Sequence, residues 1–107
     1  MAAAKAIREK SVEDHLMGRC LELDIFVLKN TGMKGIPDRL LIWDKTHWFL
    51  ELKRPGKEPT ALQRAVARKL RDHGAVAVWA DSKEQVDRIL DAMVSRMPAP
   101  RDRIIAG

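Results

Sequence analysis

The run Pro37-Asp38-Arg39-Leu40-Leu41-Ile42-Trp43-Asp44-Lys45-Thr46-His47-Trp48-Phe49-Leu50-Glu51-Leu52-Lys53 decides how this 107-residue chain folds. Two blocks rich in branched and aromatic residues, Pro37 to Trp43 and Trp48 to Lys53, flank Asp44-Lys45-Thr46-His47, where Asp44 suits the first position of a type I turn. The pattern predicts an antiparallel hairpin, with Pro37 opening a strand where a missing N–H is tolerated. A loop centred on Lys45-Thr46 sets Asp38 opposite Lys53 and Leu40 opposite Glu51. Side chains alternate along a strand, so Asp38, Glu51 and Lys53 share one side of the sheet, while Arg39, Trp48, Leu50 and Leu52 share the other.

Two carboxylates on a mostly apolar strand pair repel unless something positive sits between them. A hard divalent ion with oxygen ligands is the economical solution, and Mg²⁺ is the natural candidate. Such an ion keeps several waters, can lower the pKa of one and can bind a phosphate oxygen. Lys53 is then placed to orient or deprotonate the attacking water. That is the apparatus of phosphodiester hydrolysis. The competing reading of the same three residues is a cross-strand salt-bridge cluster on a solvated face.

Outward from the hairpin, Ser11 precedes an apolar stripe, Val12, Leu16, Cys20 and Leu23, which predicts a first helix capped by Ser11 and running to about Glu22. Ile25 to Leu28 predicts a strand closed by Asn30-Thr31-Gly32. Downstream, Pro59-Thr60 opens a helix over about Ala61 to His73, closed by Gly74. Ala75 to Ala80 predicts a buried strand. Ser82, with Gln85 three residues on, predicts a capping box for a helix bearing Val86, Ile89, Leu90, Met93 and Val94, which Pro98 and Pro100 stop, leaving a short tail. The order is αβββαβα, with the last strand returning parallel to the third through a right-handed crossover in an α/β layered fold.

Composition narrows the function classes. A chain with 46% hydrophobic and 33% charged residues has the make-up of a globular domain, and its length suits one. No apolar run approaches the roughly 18 residues of a membrane span. Lys5, Arg8, Glu9 and Lys10 interrupt the small-residue start, which therefore lacks a secretory core; an intracellular setting is expected. Cys20 has no cysteine partner and reads as a buried small hydrophobe.

The net charge of +5 is concentrated: Lys53 to Arg71 holds seven basic residues against one acidic one. Such a patch attracts a polyanion and gains free energy by releasing counterions, so nucleic acid is the leading partner. Arg54 and Lys57 lie in the patch, and Arg64, Arg68 and Arg71 form a stripe facing away from the helix's apolar side, which makes them candidates for phosphate contacts. Lys29, before the glycine-bearing loop, is another. His15, His47 and His73 lack zinc-like spacing, and Trp43, Trp48 and Trp79 fall in strands as core or interface residues.

Pro37-Asp38, twelve intervening residues and then Glu51-Leu52-Lys53 resemble the PD-(D/E)XK nuclease signature. Adding Glu13 in the first helix, Lys29, Gly35-Ile36-Pro37-Asp38 and Gln63 in the next helix, most of the chain resembles the VRR-NUC (virus-type replication-repair nuclease) family within that superfamily. The resemblance implies a restriction-endonuclease-like three-layer α/β/α fold with a mixed four-stranded sheet. It also implies Asp38 and Glu51 as ligands of Mg²⁺, or of Mn²⁺ in its place, with the Leu52 carbonyl completing the shell, Lys53 as catalytic lysine, and Glu13 and Gln63 in support. On a helical wheel Glu13 lies just beyond Leu16 and Cys20, and Gln63 just beyond Val66 and Leu70, at the border of each buried stripe. The Gln-xxx-Tyr pattern of some related nucleases is absent, since position 67 is Ala67 and the chain has no tyrosine. Stand-alone members resemble homodimeric resolvases of four-way (Holliday) junctions, so DNA and a second copy are the implied partners. The alternatives are a flap or restriction-type nuclease of this fold, or a non-catalytic DNA-binding subunit.

Overall fold

The computed structural model describes residues 2–106, with side chains from residue 10 onward. Helix α1 (Ala2–Leu23) starts well before the expected cap, so Ser11 lies inside it. The Ala-rich start is the reason, because alanine is the best helix former and nothing in Ala2-Ala3-Ala4 stops the helix. It ends with Asp24 in the left-handed region (φ 58°) and the Ile25 N–H donating to the Cys20 carbonyl at 2.8 Å.

Strands β1 (Phe26–Lys29), β2 (Arg39–Trp43) and β3 (Thr46–Leu52) form an antiparallel meander. After α2 (Ala61–Asp72), β4 (Val76–Ala80) pairs parallel to β3, giving the sheet order β1-β2-β3-β4. The hairpin turn differs from the expected one. Trp43 pairs with Thr46, leaving only Asp44 and Lys45 in the turn, both in the left-handed region (φ 43° and 67°), as a two-residue type I′ turn requires. The register is therefore two residues shorter than expected: Leu40 faces Phe49, not Glu51, and the next ladder position beyond Arg39 and Leu50 sets Asp38 against Glu51. An even shift leaves every side chain on its own face, so the two acids still share a side.

One face of the sheet carries α1 and α3 (Lys83–Val94). There Leu41, Trp48, Leu50 and Val78 pack against Leu16, Cys20, Val86, Ile89 and Leu90 in the main core. Each such fully buried aliphatic side chain contributes about 1.5–3 kcal/mol relative to exposure. On the other face α2 packs Ala67 and Leu70 on Phe49, Ala77 and Trp79. This is a three-layer α/β/α sandwich around a mixed sheet.

Burial pushes the Cys20 thiol up to about 11, which keeps it an unreactive core residue. No helix among the described residues is long and apolar enough to cross a membrane. The C-terminal stretch is more than a tail. After a 3₁₀ turn (Arg101–Arg103), Ile104 bridges Val78, the Ile105 N–H donates to the Ala77 carbonyl at 2.9 Å, and the Ile105 side chain is buried.

Candidate active site

Asp38 and Glu51 meet where β2 begins and β3 ends, and each carboxylate is held by a backbone N–H of the facing strand segment. The Asp38 N–H donates to Glu51 Oε1 at 3.1 Å, while the Leu52 N–H donates to Asp38 Oδ1 at 3.4 Å. Gly35 sets the approach. Its φ is +85°, and a Cβ there would lie 2.8 Å from Leu62 Cγ and Val66 Cγ2, so glycine lets the β1–β2 loop press onto α2 and deliver the buried Pro37 and then Asp38 to the strand end. Asn30 ties the neck of that loop, its backbone N–H bonding the Asp38 carbonyl at 2.8 Å and its side chain the Pro37 carbonyl at 3.0 Å.

Lys53 follows β3, and its Nζ is 3.6 Å from Glu51 Oε2. Gln63 uses both ends of its amide. Oε1 accepts the Thr60 N–H at 2.9 Å while Thr60 Oγ1 accepts the Gln63 N–H at 3.2 Å, a complete capping box. Nε2 donates to Glu51 Oε2 at 3.1 Å. One residue thus starts α2 and orients the acid. The box expected at Ser82 and Gln85 is only half formed: Ser82 Oγ accepts the Gln85 N–H, but Gln85 Oε1 reaches one residue further back, to the Asp81 N–H at 2.7 Å.

Glu51 is only 7% exposed, and its carboxyl is held above its ordinary range by burial and then by the Asp38 charge, against the pull of Lys53 and the Asp38 N–H. Burial likewise raises Asp38, with Arg39 and the Leu52 N–H opposing it. Two desolvated carboxylates at the mouth of an open cleft of about 400 Å³, which Leu52, Lys53, Arg54 and Lys57 also line, form an oxygen donor set that fits a hard divalent cation. Among the described residues no group of three or more His, Cys, Asp or Glu side chains could hold a metal, so backbone oxygen and water would complete the shell. Larger grooves of about 470 and 580 Å³ lie elsewhere, but neither contains a pair of carboxylates facing each other beside a lysine.

Glu13 does not reach the acid pair; its Oε1 is 2.7 Å from Arg39 Nη2. Arg39, which the sequence reading left outside the site, is the residue that joins them. Strand alternation turns it to the α1 face, but its position at the end of β2 lets the guanidinium reach the Asp38 carbonyl at 3.2 Å. Its adjacency to Asp38 and the facing Glu13 were the available signals.

The basic residues divide. Lys29, Arg54, Lys57 and Arg68 are exposed. Arg64 donates to the Ala106 carbonyl at 3.3 Å and Arg71 to the Ile105 carbonyl at 3.0 Å, so both strap the C-terminal segment. His15 pairs with Asp87 at 2.7 Å, and Arg103 stacks on Trp79 at 4.3 Å.

A mixed sheet between helical layers, with an acid pair and a lysine where two adjacent strands meet, defines a nuclease domain of the PD-(D/E)XK type. A solved structure described as a VRR_NUC domain matches with a TM-score of 0.69 and 28% sequence identity, over 78% of this chain and 95% of that one. No protein-family model and no curated protein matches the sequence. In both fold and sequence the chain is similar to that VRR_NUC domain.

Proposed function

We propose that this chain is a divalent-metal-dependent DNA endonuclease acting on branched DNA, with the four-way junction as its leading substrate. The observation that carries the reading is the Asp38–Glu51 pair, desolvated and mutually repelling beside Lys53 in an open, basic-lined cleft. Asp38, Glu51 and the Leu52 carbonyl would hold Mg²⁺ or Mn²⁺. When bound, the ion supplies Lewis acidity toward a phosphate oxygen and a water of lowered pKa. Gln63 and the Asp38 N–H fix the Glu51 carboxylate, so its orientation is set before substrate arrives. The Lys53 ammonium orients the attacking water and offsets charge that develops on the phosphate. Arg54, Lys57, Arg68 and Lys29 contact the DNA backbone, giving recognition by shape and charge rather than by base sequence.

A homodimer is supported by an apolar patch on the face that bears the acids. Phe26 is 60% and Leu62 53% exposed, and Leu28 lies beside Leu40 across the β1–β2 ladder. Two copies related by a two-fold axis would present two sites to opposed strands. The test compares Mg²⁺-dependent cutting of a four-way junction, a flap and a linear duplex by the parent and Lys53→Ala. Paired symmetrical nicks in the junction, lost in the variant, are expected. Preferential flap cutting would favour a flap nuclease, and salt-sensitive binding without any cutting a non-catalytic subunit.

A further inference from the structure

Arg39 is 5% exposed and is shared unevenly between two acids. Nη2 makes a 2.7 Å charge-assisted bond to Glu13, whereas Nη1 lies 3.2 Å from the Asp38 carbonyl oxygen and 3.4 Å from Asp38 Oδ2. A guanidinium cannot shed its proton, so a buried one must keep an anion. With Glu13 in place the shorter bond goes to α1, and the Asp38 carboxylate receives only the longer contact. Without Glu13, Asp38 is the nearest acid, and a full ion pair there would compete with any cation seeking the same oxygens.

We propose that Glu13 is a positioning residue that engages Arg39 and thereby keeps the Asp38 carboxylate free for a divalent ion. This rests on the metal-dependent reading above. Glu13 acts through Arg39 and not as a third ligand, in keeping with the absence, among the described residues, of any three-acid group able to hold a metal. Its neighbours Val12 and Leu16 are buried in the main core, so the packing of α1 sets the reach of Glu13 and couples that helix to the site.

The experiment is a Mn²⁺ titration followed by electron paramagnetic resonance on the parent, Asp38→Asn, Glu13→Ala, Glu13→Gln and the double variant Glu13→Ala/Arg39→Met. Circular dichroism and thermal melts establish that each is folded. Glu13→Ala should weaken Mn²⁺ binding about tenfold, the effect of one uncompensated charge a few ångströms from a ligand oxygen. Glu13→Gln, which keeps an acceptor for Arg39 but not the charge, should fall between it and the parent and serves if the alanine variant does not fold. The double variant should recover most of the loss. Parent-like binding by Glu13→Ala overturns the proposal, as does a double variant as weak as the single one, which would make Glu13 a direct ligand or a purely structural residue. Mn²⁺ binding that is absent in the parent, or indifferent to Asp38→Asn, overturns the metal reading itself and this inference with it.

Discussion

Gln63 joins helix initiation to acid orientation, and three substitutions separate the two tasks. Thr60→Ala removes the hydroxyl that accepts the Gln63 N–H at 3.2 Å and should cost about 1 kcal/mol of stability, the usual loss for an N-cap threonine. It leaves the 3.1 Å bond from Gln63 to Glu51 in place, so cleavage by the folded protein should change little. Gln63→Ala removes both side-chain bonds, the one accepted from the Thr60 N–H and the one donated to Glu51, and exposes the mostly buried Glu51 carboxylate to reorientation. A hydrogen bond to a charged group is worth about 1.5–3 kcal/mol, and loss of a residue that orients a ligand costs roughly 10- to 100-fold in metal affinity or activity. Gln63→Glu is the sharpest case. A glutamate still accepts the Thr60 N–H, so α2 keeps its cap, but a carboxylate then faces Glu51 where a donor had been. Activity should fall at least as far as in Gln63→Ala, while α2 stays folded. The assays are urea denaturation for stability and Mg²⁺-dependent junction cleavage for activity. If Thr60→Ala loses as much activity as Gln63→Ala, or if Gln63→Glu cuts like the parent, the assignment of Gln63 to Glu51 orientation is wrong.

Both acids bind a proton more tightly folded than unfolded, so the metal-free protein should gain stability as pH falls from neutral toward the ordinary carboxylate pKa of about 4. Thermal melts should show that gain in the parent and not in Asp38→Asn/Glu51→Gln; an equal gain in both would assign it to other groups. Asp102, held low by its hydrogen bonds from Arg88, acts in the opposite sense and loses its contribution at still lower pH. Arg68→Ala should reduce the salt slope of DNA binding by about one without lowering the melting temperature, whereas Arg71→Ala, by releasing the Ile105 carbonyl, should lower it. Phe26→Lys should shift light-scattering mass from two copies to one, and an unchanged mass would remove this patch from the interface.

The convergence of Asp38, Glu51 and Lys53 was legible because strand alternation has period two: a register error of two residues changes the partners and not the faces. The turn itself was not legible. Asp44-Lys45 adopts two left-handed residues without the glycine that normally marks a type I′ turn. Gln63 was singled out by the family resemblance, with its place at the border of an apolar stripe as independent support, but its double use of one amide depends on the packing of α2 against β3. Arg39 was hidden because alternation gives the direction of Cβ, whereas a long side chain at a strand end can turn back toward its neighbour. The straps from Arg64 and Arg71 depend on a C-terminal segment too short and too proline-rich to read as a strand.

The central claim is that Asp38 and Glu51 bind one divalent ion, and anomalous diffraction from crystals soaked in Mn²⁺ addresses it directly. The account predicts a single strong peak about 2.1 Å from oxygens of both carboxylates, absent from crystals of Asp38→Asn. A peak bound by only one of the two acids, or none at saturating Mn²⁺, would contradict it.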